Sequence, residues 1–300
     1  LSKDIQSWSL HGPVSICTFA KAVDFYLDHV TVAPKEAPRI DRLVAHFGHM
    51  KCTEIDANKL HEYRKKVYPE GISNATVRRS IYGPMSAILK MAAENSLCPP
   101  ILIPKIKVET KLVPAAPEEH IAKLIGLITD KWLKAAVLTL TYHGTRPGDL
   151  SRLRWRDVSF ASNTITFGRT KNGHPHAPTM HPDVREAYLV HFNEATNLDR
   201  NAAVFPLLQS RDAATQINYR LRAICKKAGL PYYSTHKIGR HAFAERIVNN
   251  GHTIRELQEA GNWKTYGVVA GRYAHLEKTR VSDIITSMKI GKTNQTMAGN

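Results

Sequence analysis

Apolar residues recur every three to four positions through most of the first hundred residues, the spacing of one face of an α-helix. Phe19, Ala22, Val23, Tyr26 and Leu27 share such a face within 13–32. A second helix is predicted over 39–47, ending at Gly48. A third starts at Asp56, a residue type that caps helix N-termini, and carries Leu60, Tyr63 and Val67. A fourth, over 74–96, carries Val77, Ile81, Met85, Ile88, Leu89 and Met91, with Arg78, Arg79 and Lys90 between them. Gly83-Pro84 inside it predicts a kink, because proline has no N–H to give the helix. Gly71 and Ile72 mark the turn before it.

The pattern then breaks. CPPILIPKIKVETKLVPAAP contains five prolines and no helical period, so 99–114 reads as an extended linker carrying Lys105, Lys107 and Lys111. Helices resume at Pro117, with Glu118 and Glu119 at the positive end of the first turn. The next helix, 132–142, is apolar almost all round, as expected of one buried on every side, and stops at Gly144. One region alternates with a period of two, at Thr164-Ile165-Thr166-Phe167, and breaks at Lys171-Asn172-Gly173, a hairpin signal. Helical spacing returns over 182–192, 213–228 and 240–249, and TIRE at 253–256 is a capping box. A further helix is plausible over 281–288, and the polar end is expected to be disordered. The fold class is therefore mainly α with a small antiparallel β-sheet (α+β). The expected organisation is a helical domain over 1–98, a linker over 99–114, a second domain over 115–290 and a tail over 291–300.

Charge changes the picture more than composition does. With 43% apolar residues the 300-residue chain can bury real cores, and its length suits two domains. Its formal charge of +16 favours a polyanionic partner: DNA, RNA or an anionic membrane surface. No apolar run reaches the roughly 20 residues that span a bilayer. The opening LSKDIQSWSL lacks the apolar core of a signal peptide, and its lack of a methionine suggests that something upstream was removed. Four scattered cysteines, Cys17, Cys52, Cys98 and Cys225, form no C-x-x-C pair and suit reduced thiols in a cytoplasmic protein. There is no H-E-x-x-H, zinc spacing or glycine-rich phosphate loop.

Four islands hold candidate chemistry: Arg146 in HGTRPGDL, Lys171 beside the Asn-Gly turn, His236, Lys237 and Arg240 in THKIGRHAFAE, and Trp263 with Tyr266 and Tyr273 in GNWKTYGVVAGRYAHL. Singly, each has an ordinary reading: a capping or ion-paired arginine, a solvated turn lysine, a surface arginine, a packed tyrosine.

In this order they resemble the tyrosine recombinase, or phage integrase, family. Its first box, an arginine followed three residues later by an acid, is matched by Arg146-Pro147-Gly148-Asp149 and then LSRLRW. Its hairpin lysine is matched by Thr170-Lys171-Asn172-Gly173, its second box by Lys237-Ile238-Gly239-Arg240-His241-Ala242-Phe243-Ala244, and its last by Gly261-Asn262-Trp263 and Arg272-Tyr273-Ala274-His275-Leu276. The first hundred residues look like the family's helical core-binding domain. Three features depart from the pattern. Lys237 stands where most members have His, with His236 one position earlier. Trp263 and Tyr273 are ten residues apart instead of nine. Tyr266 is a second tyrosine close by.

The resemblance implies a site-specific DNA recombinase that cleaves and rejoins double-stranded DNA through a 3′-phosphotyrosine, integrating or excising a mobile element. It implies Arg146, Lys171, Lys237, Arg240, Trp263 and Tyr273 as catalytic residues, Asp149 and His236 as supporting ones, and neither metal nor cofactor. It further implies a DNA clamp, a homo-tetramer on two recombination sites, room for DNA-bending accessory proteins, no membrane, and a cytoplasmic protein of bacterial or phage origin. Rival readings are a type IB topoisomerase-like nicking-closing enzyme and a non-catalytic DNA-binding protein of the same fold. The residue types suit the chemistry. Guanidiniums are fork-shaped and always charged, as a phosphodiester transition state requires. A phenol, with a pKa of about 10, leaves more easily than a serine hydroxyl, so the step can reverse.

Overall fold

The computed structural model describes residues 17–108, 113–168, 175–195, 199–209 and 212–276. The hairpin tip with Lys171, the helix expected over 281–288 and the tail over 291–300 lie outside the described residues. The chain divides into two compact units, Leu1–Thr110 and Lys111–Asn300.

The first unit is helical. α1 (Phe19–His29) begins at Thr18, whose hydroxyl accepts from the Lys21 N–H. α2 (Ala37–Phe47) ends against Gly48, and α3 (Ala57–Val67) is capped by Asp56, which accepts from the Lys59 N–H at 2.9 Å. The fourth helix is not continuous: α4 (Asn74–Val77) runs into a π-type turn, Arg78–Tyr82, and then α5 (Gly83–Glu94). The Gly83 N–H reaches back five residues to the Arg78 carbonyl. Widening the turn gives the Pro84 ring room where a regular helix would clash, so a bulge takes the place of the expected kink. Phe19, Leu43, Phe47, Leu60, Met85 and Ile88 form the core. Ile101, Ile103 and Ile106 of the proline-rich segment pack on it, and the Lys107 carbonyl accepts from Asn74 Nδ2 at 3.0 Å. The described residues of that stretch form no helix or strand, and those up to 108 belong to the first unit's packing.

In the second unit α6 (Glu118–Leu127) leads to α7 (Lys131–His143), which is buried on all sides as its composition predicts. Each leucine so enclosed contributes roughly 1.5–3 kcal/mol. The helix stops at Gly144, which takes a left-handed φ of 57°. A side chain there would also meet the Phe243 ring, 2.4 Å from its Cδ1. α8 (Pro147–Leu150) follows. Strands β1 (Val158–Ser159) and β2 (Thr164–Ile165) pair antiparallel, Val158 opposite Ile165 and Ser159 opposite Thr164. Bridges Thr164–Thr179 and Phe167–His176 add a third extended stretch, so antiparallel pairing flanks the segment that carries Lys171.

α9 (Pro182–Asn193) and α10 (Ala213–Lys227) complete the main core. A second π-type turn, Lys237–His241, opens α11 (Ala242–Asn249), three residues earlier than the sequence pattern suggested. α12 (Ile254–Ala260) starts at the expected capping box, Thr253 with Glu256. α13 (Tyr266–Tyr273) is a helix that apolar spacing alone did not reveal. α11 to α13 enclose a small core of their own: Phe243, Val248, Leu257, Trp263, Val269 and Tyr273. All four cysteines are free and buried. Among the described residues no helix is long and apolar enough to cross a membrane.

Candidate active site

Three chain reversals build the site. The first is the end of α7. Arg146 caps α8 in extended conformation, and Asp149 Oδ2 accepts its main-chain N–H at 3.3 Å. The other carboxylate oxygen, Oδ1, takes Arg152 Nη2 at 2.6 Å. Asp149 thus supports Arg146 through the backbone of Arg146, while the guanidinium on the carboxylate is that of Arg152.

The second reversal is the π-type turn. It buries Arg240, only 6% exposed, and packs against α7, where a side chain on Gly239 would sit 3.1 Å from the Leu140 carbonyl. Arg240 Nη1 donates to the Gly144 carbonyl at 2.8 Å and Nη2 to the Gly261 carbonyl at 2.9 Å. Both acceptors follow helix C-termini, whose partial negative charge suits a cation. Burial, then Arg146, brings the pKa of Arg240 down to about 9, still well above neutral, so the group stays charged.

The third reversal joins α12 to α13. Asn262, at φ 48°, turns the chain so that Trp263 lies under Arg240, with the guanidinium carbon 3.8 Å from the ring centre. A guanidinium in that position is attracted by the negative face of the indole ring. The Tyr273 ring meets Trp263 edge-on, 6.3 Å between centres. Tyr273 is buried, and its Oη is hydrogen-bonded to His241 Nδ1 at 2.9 Å. Burial pushes its pKa up to about 12, against the pull of Arg272 and Arg240. Tyr266, seven residues earlier on the same helix, is 52% exposed.

His236 and Lys237 part company at this point. The His236 ring meets the His241 ring edge-on at 4.5 Å, whereas Lys237 Nζ lies 5.8 Å from the Tyr233 ring centre. Partial desolvation, then Arg272, Arg240 and Arg146, holds the His236 pKa below the ordinary imidazole value. A narrow cleft between the first and third reversals is lined by His143, Thr145, Arg146, Asp149, His176 and Arg240. Among the described residues His143 Nε2, Thr145 Oγ1 and His176 Nε2 have no hydrogen-bond partner. The structure thus brings together Arg146, Asp149, Arg240, Trp263, Tyr273 and His236. Lys171 is outside the described residues. The sequence assigned no role to His241, Arg272 or His143. His241 stood in plain view beside Arg240, but nothing local tied it to a tyrosine 32 residues away.

The description "Phage integrase family" is matched by residues 117–280, more than half of the chain. The chain belongs to the phage integrase family. This is the family of tyrosine site-specific recombinases, and the match favours that activity over a topoisomerase or a non-catalytic binding protein. Solved structures agree on the fold. One is the Tn1549 transposon integrase in complex with transposon right end DNA, 16% identical, covering 91% of this chain and 100% of its own, with a TM-score of 0.70. A second is lambda integrase as a tetramer bound to a Holliday junction, 14% identical, covering 94% of this chain and 84% of that one, TM-score 0.68. A third is XerH recombinase bound to palindromic difH substrate, 18% identical, covering 82% and 76%, TM-score 0.62. No curated protein sequence matches this integrase-family chain.

Proposed function

We propose that this recombinase breaks and rejoins duplex DNA with Tyr273 as nucleophile. Its phenol oxygen attacks the scissile phosphorus and the P–O5′ bond breaks, leaving a 3′-phosphotyrosine and a 5′-hydroxyl. Rejoining is the same step run in reverse, so the energy of the broken bond is kept without ATP. Arg146 and Arg240 stabilise the charge gathering on the non-bridging oxygens. Arg240 spends two of its five N–H groups on carbonyls and keeps three for phosphate. Lys171 protonates the departing 5′ oxygen. Trp263 serves as the platform that holds Arg240, Asp149 fixes the backbone at Arg146, and Lys237 adds positive charge. Between the two candidates for the second box, His236 lies in the ring cluster that reaches Tyr273.

The observation that carries this reading is the shared platform: Arg240 stacks on the face of Trp263 and Tyr273 abuts its edge, while Tyr266 stands in solvent. Tyr273 and Arg240 are both buried, so the cleft opens as the phosphate enters. The same reading has both units contacting double-stranded DNA, a tetramer on two recombination sites, DNA-bending accessory proteins where the sites require them, and action in the cytoplasm. The deciding experiment traps the covalent adduct on a suicide duplex and maps the modified peptide. Phosphate on Tyr273 is expected. An adduct on any other residue, or none under conditions that give specific binding, sinks the assignment.

A further inference from the structure

Tyr273 is nearly closed off from solvent, and its hydroxyl is hydrogen-bonded to His241, a residue of the second box to which the proposed roles above assign nothing. His241 is itself only 3% exposed and sits at the end of the π-type turn that also carries Arg240. Its ring is fixed on two sides, edge-on to His236 at 4.5 Å and at 64° to Tyr273 with centres 5.8 Å apart. The nitrogen that faces the phenol is Nδ1.

Resting on the reading of Tyr273 as nucleophile, we infer that His241 is a catalytic residue that accepts the Tyr273 proton. In the resting site the phenol O–H donates to an unprotonated Nδ1, and the ring carries its hydrogen on Nε2. As Oη bonds to phosphorus, the phenolic proton moves to Nδ1 and the P–O5′ electron pair leaves with the 5′ oxygen. In the reverse step the 5′-hydroxyl attacks phosphorus and returns its proton to the general acid that supplied it, while the tyrosine oxygen departs and takes its own proton back from the imidazolium. The hydrogen bond also aims a lone pair of Oη away from His241 for the attack. His236, exposed and in ring contact with His241, gives the imidazolium a route to solvent.

The surroundings keep His241 neutral before the reaction. Burial first, then His236, Arg272 and Lys237, holds its pKa down to about 4, so at neutral pH Nδ1 is free to accept. Burial raises the Tyr273 pKa, and Arg272 and Arg240 offset only part of that rise, so the phenol needs a base beside it to release its proton. The incoming phosphate places negative charge beside the cluster and favours imidazolium as the bond forms.

Two measurements on the full chain test the inference. Selective ¹⁵N-histidine NMR of the wild type is expected to show His241 as the Nε2–H tautomer with an unprotonated Nδ1. A proton on Nδ1 at neutral pH overturns the proposal, whatever any variant does. Single-turnover cleavage of a suicide duplex is then compared for wild type, His241→Ala and His241→Asn. The asparagine places an oxygen near the position of Nδ1, and so can hold the tyrosine without being a base. Both variants are expected to slow cleavage by roughly 100-fold, the scale of general-base catalysis, with DNA binding retained. Added imidazole is expected to recover His241→Ala. Cleavage by His241→Asn within threefold of wild type limits His241 to positioning and overturns the base role. Peptide mapping of the wild-type adduct separates the two hypotheses: an adduct away from Tyr273 removes the nucleophile assignment, whereas an adduct on Tyr273 with unaffected histidine variants removes only this one.

Discussion

The Arg240 guanidinium carbon lies 3.8 Å from the centre of the Trp263 ring, and the same tryptophan is held from below by Gly261. A Cβ on Gly261 would fall 1.7 Å from Trp263 Cζ3, so any side chain there must displace the ring. If Trp263 acts as a platform, Trp263→Phe should keep adduct formation within about tenfold and Trp263→Ala should lose more, since a cation over an aromatic face is worth roughly 0.5–2 kcal/mol. Gly261→Ala should behave like Trp263→Ala and also lower stability by about 1–3 kcal/mol. Suicide-substrate rates and urea unfolding check both. Equal loss in Trp263→Phe and Trp263→Ala would point instead to the indole N–H.

Tyr266 and Tyr273 stand seven residues apart on one helix, so their rings are about 10 Å apart along its axis and cannot exchange places without the helix sliding. Tyr273→Phe, which removes one oxygen and keeps the packing, should bind DNA normally and form no adduct. Tyr266→Phe should form adduct within a few-fold of wild type. Adduct persisting in Tyr273→Phe would show that the extra residue between Trp263 and Tyr273 has changed the nucleophile.

Lys171→Ala should slow cleavage by roughly 100-fold or more if the lysine protonates the leaving group. Replacing the 5′ oxygen by sulfur, which leaves without a proton, should restore most of that loss. A variant equally slow on both substrates would assign Lys171 to holding DNA.

Acid should destabilise the second unit before its carboxylates titrate. His143 and His241 are held down to about 4, His143 by burial and then by His181 and His176. Their folded-state pKa values lie below the ordinary 6.5, so the unfolded chain binds protons first as pH falls. The stability they allow is complete above about pH 6.5 and is lost toward pH 4, by up to about 1.4 kcal/mol per pH unit for each histidine. Thermal midpoints from pH 8 to pH 4.5 should fall steadily below 6.5, and His143→Gln should flatten the slope. A midpoint constant from pH 6.5 to 5 would contradict the neutral burial of these rings.

The charge of +16 should make DNA affinity steeply salt-dependent. A log–log slope of about −5 or steeper is expected if roughly six or more phosphates are contacted. Fluorescence anisotropy at several salt concentrations measures it, and an affinity unchanged between low and moderate salt would remove extensive backbone contact.

Local signals determined most of the helices. Asp56, Gly144 and the Thr253–Glu256 box act within three or four residues of themselves, so their effect is written in the sequence beside them. The all-apolar run of α7 could only be buried, and the order of the boxes carried the family. The tertiary structure decided what depends on distant partners. The second box marked Arg240 as a catalytic residue, but nothing near it in the chain showed its burial, which the carbonyls of Gly144 and Gly261, 96 positions before it and 21 after, make by closing on its guanidinium. Apolar spacing gave no hint of α13, and with it went the distinction between an exposed Tyr266 and a buried Tyr273. His241 reads as one more motif residue because a hydrogen bond to a side chain 32 positions away leaves no periodic trace. The proline-rich segment read as an extended linker because sequence shows its missing helix period and hides the hydrophobic surface on which Ile101, Ile103 and Ile106 pack. Spacing along the chain records which face a residue occupies; only packing sets what that face meets.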